Sequence, residues 1–367
     1  MKIGFLVNPI AGMGGRVGLK GTDGELVKLA IKLGAKPVSP TRADRFLKHL
    51  TKLGLYNLEF YSPSGIMGSD YLQKYGLKHK IILDVDVNTS VEDTKNACKR
   101  FLEENINLIV FVGGDGTARD IYDVVKLKIP VLAIPSGVKM YSSIFAINPE
   151  AAAELLKKHV DGETTIVERE VLDIDEEAYR RDELKIKLYG YLKVPIYEKL
   201  IQSGKIVVSS LDVEENKRAI AKYVIEKMEN DVLYILGPGT TVKSIADMLG
   251  IEKTLLGVDA IYNKRLVGKD LSEQEILKLI EKYKRVKIIV SPLGGEGFLF
   301  GRGNQQISPE VLLKVGKENI IVVATRDKIQ GIRELYVDSG DLKVDNMFRG
   351  YIRVIIDYRE EKVMRIS

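Results

Sequence analysis

"FVGGDGTARD", residues 111–120, follows the apolar run 108–112 and leads into a polar stretch with helical spacing. A strand that ends in glycines at the start of a helix leaves unpaired backbone N–H groups beside the positive end of the helix dipole. Polyphosphate suits such a place. Gly113, Gly114 and Gly116 let the backbone approach phosphates without a Cβ in the way, and Thr117 adds a hydroxyl. Asp115 is the odd member, because a carboxylate beside phosphates is repulsive unless it binds Mg²⁺ or takes a proton from an acceptor hydroxyl. The stretch therefore points to phosphoryl transfer. The plainer alternative is a tight turn in which Asp115 only caps the helix.

Working outward, residues 1–150 alternate short β-branched runs with helical periodicity, the pattern of βαβ units and a mainly parallel sheet. The first run, 3–7, feeds "NPIAGMGG", where Gly12, Gly14 and Gly15 form a loop. "TRADRFLKHLTKLG" sets Phe46, Leu47, Leu50 and Leu53 on one helical stripe. Strands are expected at 58–61 and 81–85. "NTSVEDTKNACKRFLEEN" reads as a helix capped by Thr89 or Ser90, with Ala97, Cys98, Phe101 and Leu102 inward. A helix at 118–125 and the strand "IPVLAIP" follow, and Asn148 with Pro149 opens another helix.

Past residue 160 the texture changes. In "ELKIKLYGYL" Leu184, Ile186 and Leu188 share a face, which predicts an antiparallel section. A helix at 217–228 precedes "DVLYILGPGTTVKSIADMLG", again strand, glycine turn and helix. Strands at 287–290 and 320–324 flank a further glycine-rich loop, and a hairpin spans 351–366. The expected fold is α/β: an N-terminal βαβ domain with a mainly parallel sheet, plus a second α+β domain with an antiparallel section. Its divisions are 1–150 for nucleotide binding, 151–345 for the acceptor, and a hairpin within 346–367, whose return to the first domain stays open.

Length and composition narrow the function classes. At 367 residues with 45% hydrophobic side chains and a mean hydropathy of −0.04, about two globular cores are expected. The net charge of +5 is spread without any Lys/Arg block, which is weak evidence for nucleic acid or anionic membrane as a partner, and neither is expected. Cys98 alone excludes an intrachain disulfide framework, and His49, His79 and His159 are too scattered for a metal cluster. This usage suits a reducing interior, and with no signal peptide or membrane span in the pattern a cytoplasmic location is expected. A homo-oligomer is compatible with all of this. No Walker A or dinucleotide fingerprint occurs, since "GMGGRVGLKG" has the wrong spacing before Lys20.

The motifs together carry a family resemblance. GGDGT after an apolar strand, preceded by "NPIAGMGG" and "TSVEDT", resembles the superfamily of NAD kinases, diacylglycerol and sphingosine kinases and 6-phosphofructokinases. Within it, "NPIAGMGGRVGLKGTDG", "PSGIMG", "PSGVKMYSSIFA" and "GGEGFLFGRGNQQISP" resemble the ATP-NAD kinase family, in the branch called AcoX-like, over residues 1–345. The resemblance implies Mg²⁺-dependent transfer of a phosphoryl group from ATP or inorganic polyphosphate to a ribose hydroxyl of NAD. It makes Asp115 the catalytic carboxylate and a possible Mg²⁺ ligand. Gly113, Gly114, Gly116 and Thr117 would line the phosphates, and Asn8 would contact the nucleotide. "YILGPGTTVKSIADMLG" is similar to a diverged TPTGSTAY segment, which places Gly237, Gly239, Thr240 and Thr241 near the acceptor.

Two departures bear on the substrate. The Asn-Glu pair that holds NAD in the family has no counterpart between 160 and 230, so another polyol, a nucleoside or a lipid headgroup remains an alternative acceptor. A nucleotide-binding regulatory protein without turnover is a third reading, which the intact GGDGT disfavours. "SGVKMYSS" replaces the usual Asn-containing stretch, and Lys139 within it could supply the cation that a phosphoryl transition state needs. "SPLGGEGFLFGRGNQQISP" gathers Glu296, Arg302, Asn304 and Gln305 in one long loop. Such loops are commonly functional, and Arg302 and Asn304 are assigned to the acceptor side.

Overall fold

The computed structural model describes residues 1–19, 25–137, 140–174, 186–197, 211–293 and 297–367. Five parallel strands, β1 (Lys2–Val7), β2 (Glu59–Pro63), β3 (His79–Leu83), β4 (Leu108–Gly113) and β5 (Val131–Pro135), form the first sheet in the order β3-β2-β1-β4-β5. Its helices are α1 (Glu25–Lys32), α2 (Ser39–Lys52), α3 (Ser69–Lys74), α4 (Val91–Glu103), α5 (Asp115–Val125) and α6 (Pro149–Val160). Every residue of β4 is buried, because both faces are covered and the alternation splits between two cores. Val110 and Val112 pack with Phe46, Leu47 and Leu50 of α2 and Leu155 and Leu156 of α6. Ile109 and Phe111 pack with Ala97, Cys98 and Phe101 of α4 and Ile121 of α5. The expected helical stripes thus face the sheet, and burial pushes the Cys98 thiol up to about 12, as an inert core residue.

An antiparallel ribbon follows, β6 (Thr165–Ile174) with β7 (Ile186–Ile196). Its Val171, Leu192 and Val194 enter the core that holds Phe111 and Ile121, so the first unit's core continues past residue 150. Leu184 lies outside the described residues, and Leu188 is exposed.

The second unit begins with α7 (Leu211–Lys227). Its seven-stranded sheet contains β8 (Leu233–Leu236), β9 (Asp259–Tyr262), β10 (Arg265–Gly268) and β11 (Val286–Val290); β12 (Phe298–Phe300) leaves it to pair elsewhere. It is completed by β13 (Ile320–Val323), β15 (Gly350–Asp357) and β16 (Glu360–Ile366), in the order β10-β9-β8-β11-β13-β15-β16. The short β14 (Tyr336–Val337) pairs with β12. Strands β8, β11, β13 and β15 run parallel, whereas β9, β10 and β16 are antiparallel to their neighbours. The closing hairpin therefore completes the second sheet and does not return to the first. Helices α8 (Thr240–Met248), α9 (Glu273–Lys282), α10 (Pro309–Val315), α11 (Arg326–Gln330) and α12 (Leu342–Phe348) cover its faces. Among the described residues no helix is long and apolar enough to cross a membrane.

Charged side chains join the units. Arg42, on the buried face of α2, is ion-paired with Asp338 just beyond β14. Arg45 approaches the same carboxylate at 3.7 Å and Arg302 at 3.9 Å, while Arg45 also forks onto Glu150 at 2.9 and 2.8 Å.

Candidate active site

In the first sheet the chain steps from β1 outward to β2 and β3, then returns to place β4 on the other side of β1. The carboxyl ends of β1 and β4 thus flank the point where the strand order reverses, where open α/β sheets take their ligands. Asn8 leaves β1 and Gly113 ends β4. The Asn8 N–H donates to the Val112 carbonyl at 2.9 Å, and its side-chain Nδ2 donates to Thr117 Oγ1 at 2.8 Å. Two residues far apart in sequence, both expected at the nucleotide, are in contact.

The glycines separate by what a side chain would meet. A Cβ on Gly113 would lie 2.6 Å from Thr117 Cβ, and one on Gly114 would lie 3.0 Å from Gly137 Cα. Gly12, at φ +79°, would put its Cβ 1.8 Å from the Ser136 carbonyl, and Gly15 would strike Gln305 Oε1. Gly12 is required by a backbone it packs against, while Gly113, Gly114 and Gly15 lie close against Thr117, Gly137 and Gln305. Around Gly116 there is nothing within 4 Å. It sits in the first turn of α5, facing open space at the helix N-terminus. Gly116→Ala should therefore stabilise the free protein by up to about 1 kcal/mol through helix propensity while weakening nucleotide binding. A thermal melt beside a nucleotide titration checks this, and unchanged affinity would remove Gly116 from the phosphate-facing set.

Asp115 does not cap α5, whose N-cap is Gly114. Its carboxylate turns to the segment after β5, accepting the Tyr141 N–H through Oδ2 and the Ser142 N–H through Oδ1 at 3.1 Å. Burial pushes its carboxyl from an ordinary value near 3.8 up to about 7; the Ser142 and Tyr141 donors oppose the rise, and Asp173 adds to it. The Asp173 carboxylate pairs with Arg119 at 2.8 Å. The segment that serves Asp115 is itself fastened to β6. Ser142 Oγ both donates to the Leu172 carbonyl and accepts its N–H at 2.9 Å, and Ser143 Oγ donates to Glu170 at 2.6 Å.

The residues expected on the acceptor side lie at the end of β8, which with β11 flanks the reversal point of the second sheet's strand order. The Gly237 N–H donates to the Ile289 carbonyl and that of Gly239 to Leu255, at 2.9 and 2.8 Å. Gly239 sits at φ +107° with open space where a Cβ would be, and it caps α8. Thr240 is exposed and Thr241 buried. The buried Asp259, paired with Lys253 at 3.3 Å and accepting the Thr254 N–H and hydroxyl, braces the chain beside Leu255.

Arg302 and Asn304 stand differently from the expectation. The Nη2 of Arg302 donates to the Ala146 carbonyl at 3.3 Å and to that of Ile147, and its guanidinium lies 3.8 Å from the Phe298 ring centroid. Asn304 donates to the Leu299 carbonyl at 2.7 Å and accepts the Gly301 N–H. Both are buried and work within the fold. Lys139 and Glu296 lie outside the described residues. Gln305 reaches the glycine loops from the second unit, donating to the Gly137 carbonyl at 3.4 Å, and the Glu273 N–H donates to the Arg16 carbonyl at 3.0 Å. Sequence reasoning gave no role to Tyr141, Ser142, Asp173, Arg42 or Asp338. The one available signal was that a buried Asp115 must find donors somewhere.

A model of the ATP-NAD kinase N-terminal domain matches residues 3–164, and one of the ATP-NAD kinase C-terminal domain matches residues 229–366. The chain belongs to the ATP-NAD kinase family. Searches of curated proteins and of solved structures give no match. Membership makes the protein a phosphotransferase of the NAD kinase type, with small-molecule substrates. The stretch between the two matches, 165–228, contains the ribbon β6–β7 and all of α7, and it is the part of the sequence without a counterpart of the family's expected Asn-Glu pair.

Proposed function

We propose that this member of the ATP-NAD kinase family, of its AcoX-like branch, transfers the terminal phosphoryl group of ATP or polyphosphate to a ribose hydroxyl of NAD. The observation that carries the reading is the buried carboxylate of Asp115, held by two backbone N–H groups at the reversal point of the first sheet. Asn8, Gly113, Gly114, Gly116 and Thr117 surround the donor's phosphates, with the α5 N-terminus offering its N–H groups. Gly237, Gly239, Thr240 and Thr241 take the acceptor. The acceptor oxygen forms a bond to the terminal phosphorus as the bond to the leaving phosphate oxygen breaks, and Asp115 receives the hydroxyl proton.

Mg²⁺ fits this site as a companion of the phosphates. Among the described residues no group of three or more His, Cys, Asp or Glu side chains is placed to hold a metal. Mg²⁺ commonly binds through substrate phosphates with one or two carboxylates, and Asp115 is the carboxylate of this loop. When bound, the ion would neutralise charge on the transferring group.

The missing Asn-Glu pair favours one alternative, a kinase of the same type with another polyol, a nucleoside or a lipid headgroup as acceptor. Incubation with ATP, Mg²⁺ and NAD, followed by detection of NADP, tests the first reading. Formation of NADP at turnover rates supports it; ATP consumed only with another hydroxyl compound transfers support to the alternative.

A further inference from the structure

We propose that Arg302 is a positioning residue that couples docking of the second unit to the seating of Asp115. This rests on the reading of Asp115 as the reacting carboxylate. Arg302 belongs to the loop after β12, yet its Nη2 grips the carbonyls of Ala146 and Ile147 in the first unit. Those carbonyls end the same short segment whose Tyr141 and Ser142 N–H groups hold Asp115.

Other anchors of the segment belong to the first unit. The Ala146 N–H donates to the Ala133 carbonyl of β5 at 2.9 Å, and Ser142 and Ser143 fasten it to β6. Arg302 adds the second unit to that set. Its side chain is only 4% exposed, its guanidinium is stacked on Phe298, and the buried charge strengthens a bond to two converging carbonyls. An arginine so placed is committed through Nη2 to the backbone of the first unit. It can transmit the position of one unit to the backbone donors of the other.

The test uses the full chain with Arg302→Met and Arg302→Lys. In Arg302→Met, amide hydrogen exchange across 140–147 should speed by about tenfold or more beyond any general rise from lost stability, which is read at the core strands β1 and β4. Its kcat should fall by about tenfold or more with both substrate KM values nearly unchanged, since misplacing a reacting group costs rate more than binding. Arg302→Lys, which keeps a cationic donor, should recover part of both. Unchanged exchange at 141–142 would overturn the proposal, as would a raised acceptor KM at constant kcat, which would make Arg302 a substrate contact. If the Met variant does not fold, the Lys variant carries the test: slowed turnover and faster local exchange, milder in degree, support the proposal, and wild-type values for both refute it. Absence of any NAD phosphorylation by the wild type would defeat the proposed reaction, while the exchange result would still decide the role of Arg302.

Discussion

Asp115→Asn should leave a folded, nucleotide-binding protein whose turnover is lower by roughly 10²- to 10⁴-fold, the usual worth of a general base. Asparagine keeps the shape and one acceptor for the Tyr141 and Ser142 N–H pair, but it cannot take a proton. In the wild type the carboxyl sits at about 7, so it must lose its proton before it can accept another. Activity should therefore rise with pH and level off above about 7. Stability should move the opposite way. Between about pH 4 and 7 the folded chain keeps a proton on Asp115 that the unfolded chain releases, so stability falls as pH rises through that window and is flat above it. Asp345, raised to about 6 mainly by burial, adds to the same slope. In Asp115→Asn the Asp115 part of the slope vanishes. Near-normal turnover in a variant with normal melting would sink the catalytic assignment.

The largest stability effect is expected at Asp338. Its side chain is 2% exposed and faces Arg42, Arg45 and Arg302, whose side chains are 6%, 11% and 4% exposed. Removing the shared carboxylate takes a buried counter-charge from three neighbouring guanidinium groups, of which Arg45 keeps Glu150. Breaking one partner of a buried ion pair costs about 3–5 kcal/mol, and here the remaining charges also repel. Asp338→Ala should lose at least that much in denaturant titrations. Asp161→Asn, which cuts the surface pair with Lys157, should change stability by less than about 0.5 kcal/mol. A loss below about 1 kcal/mol in Asp338→Ala would show that water reaches the cluster and screens it.

The elements that depend on neighbours in sequence were readable. Apolar spacing located α2 and α4, Ser90 with Asp93 closes a capping box, and Asn148 accepts the Ala151 N–H at 2.7 Å to open α6. The GGDGT loop was legible because glycine, aspartate and threonine each mean something at a strand end. What those glycines touch was not. Gly12 turns with a positive φ against the Ser136 carbonyl and Gly15 lies close against Gln305, and neither neighbour leaves a local pattern. The ribbon β6–β7 read as antiparallel from its alternation, but nothing local shows that Val171 and Leu192 belong to the first core. Arg302 read as a functional loop cation because composition cannot tell a guanidinium that meets a ligand from one that meets a carbonyl.

The Arg42 and Asp338 pairing spans 296 residues, and that separation has a history for each new chain. A ribosome releases the amino end first, and domains generally fold as they emerge. The first sheet and its ribbon are fully made by residue 196, long before Asp338 exists. Through that interval the guanidinium of Arg42 must stay hydrated, so the surface of α2 that carries it remains wet and uncovered while Phe46 and Leu50 on the same helix are already packed. Part of the nascent first unit thus waits in a half-finished state that no later stage resembles. It is the interval in which a chaperone or a protease would meet this chain.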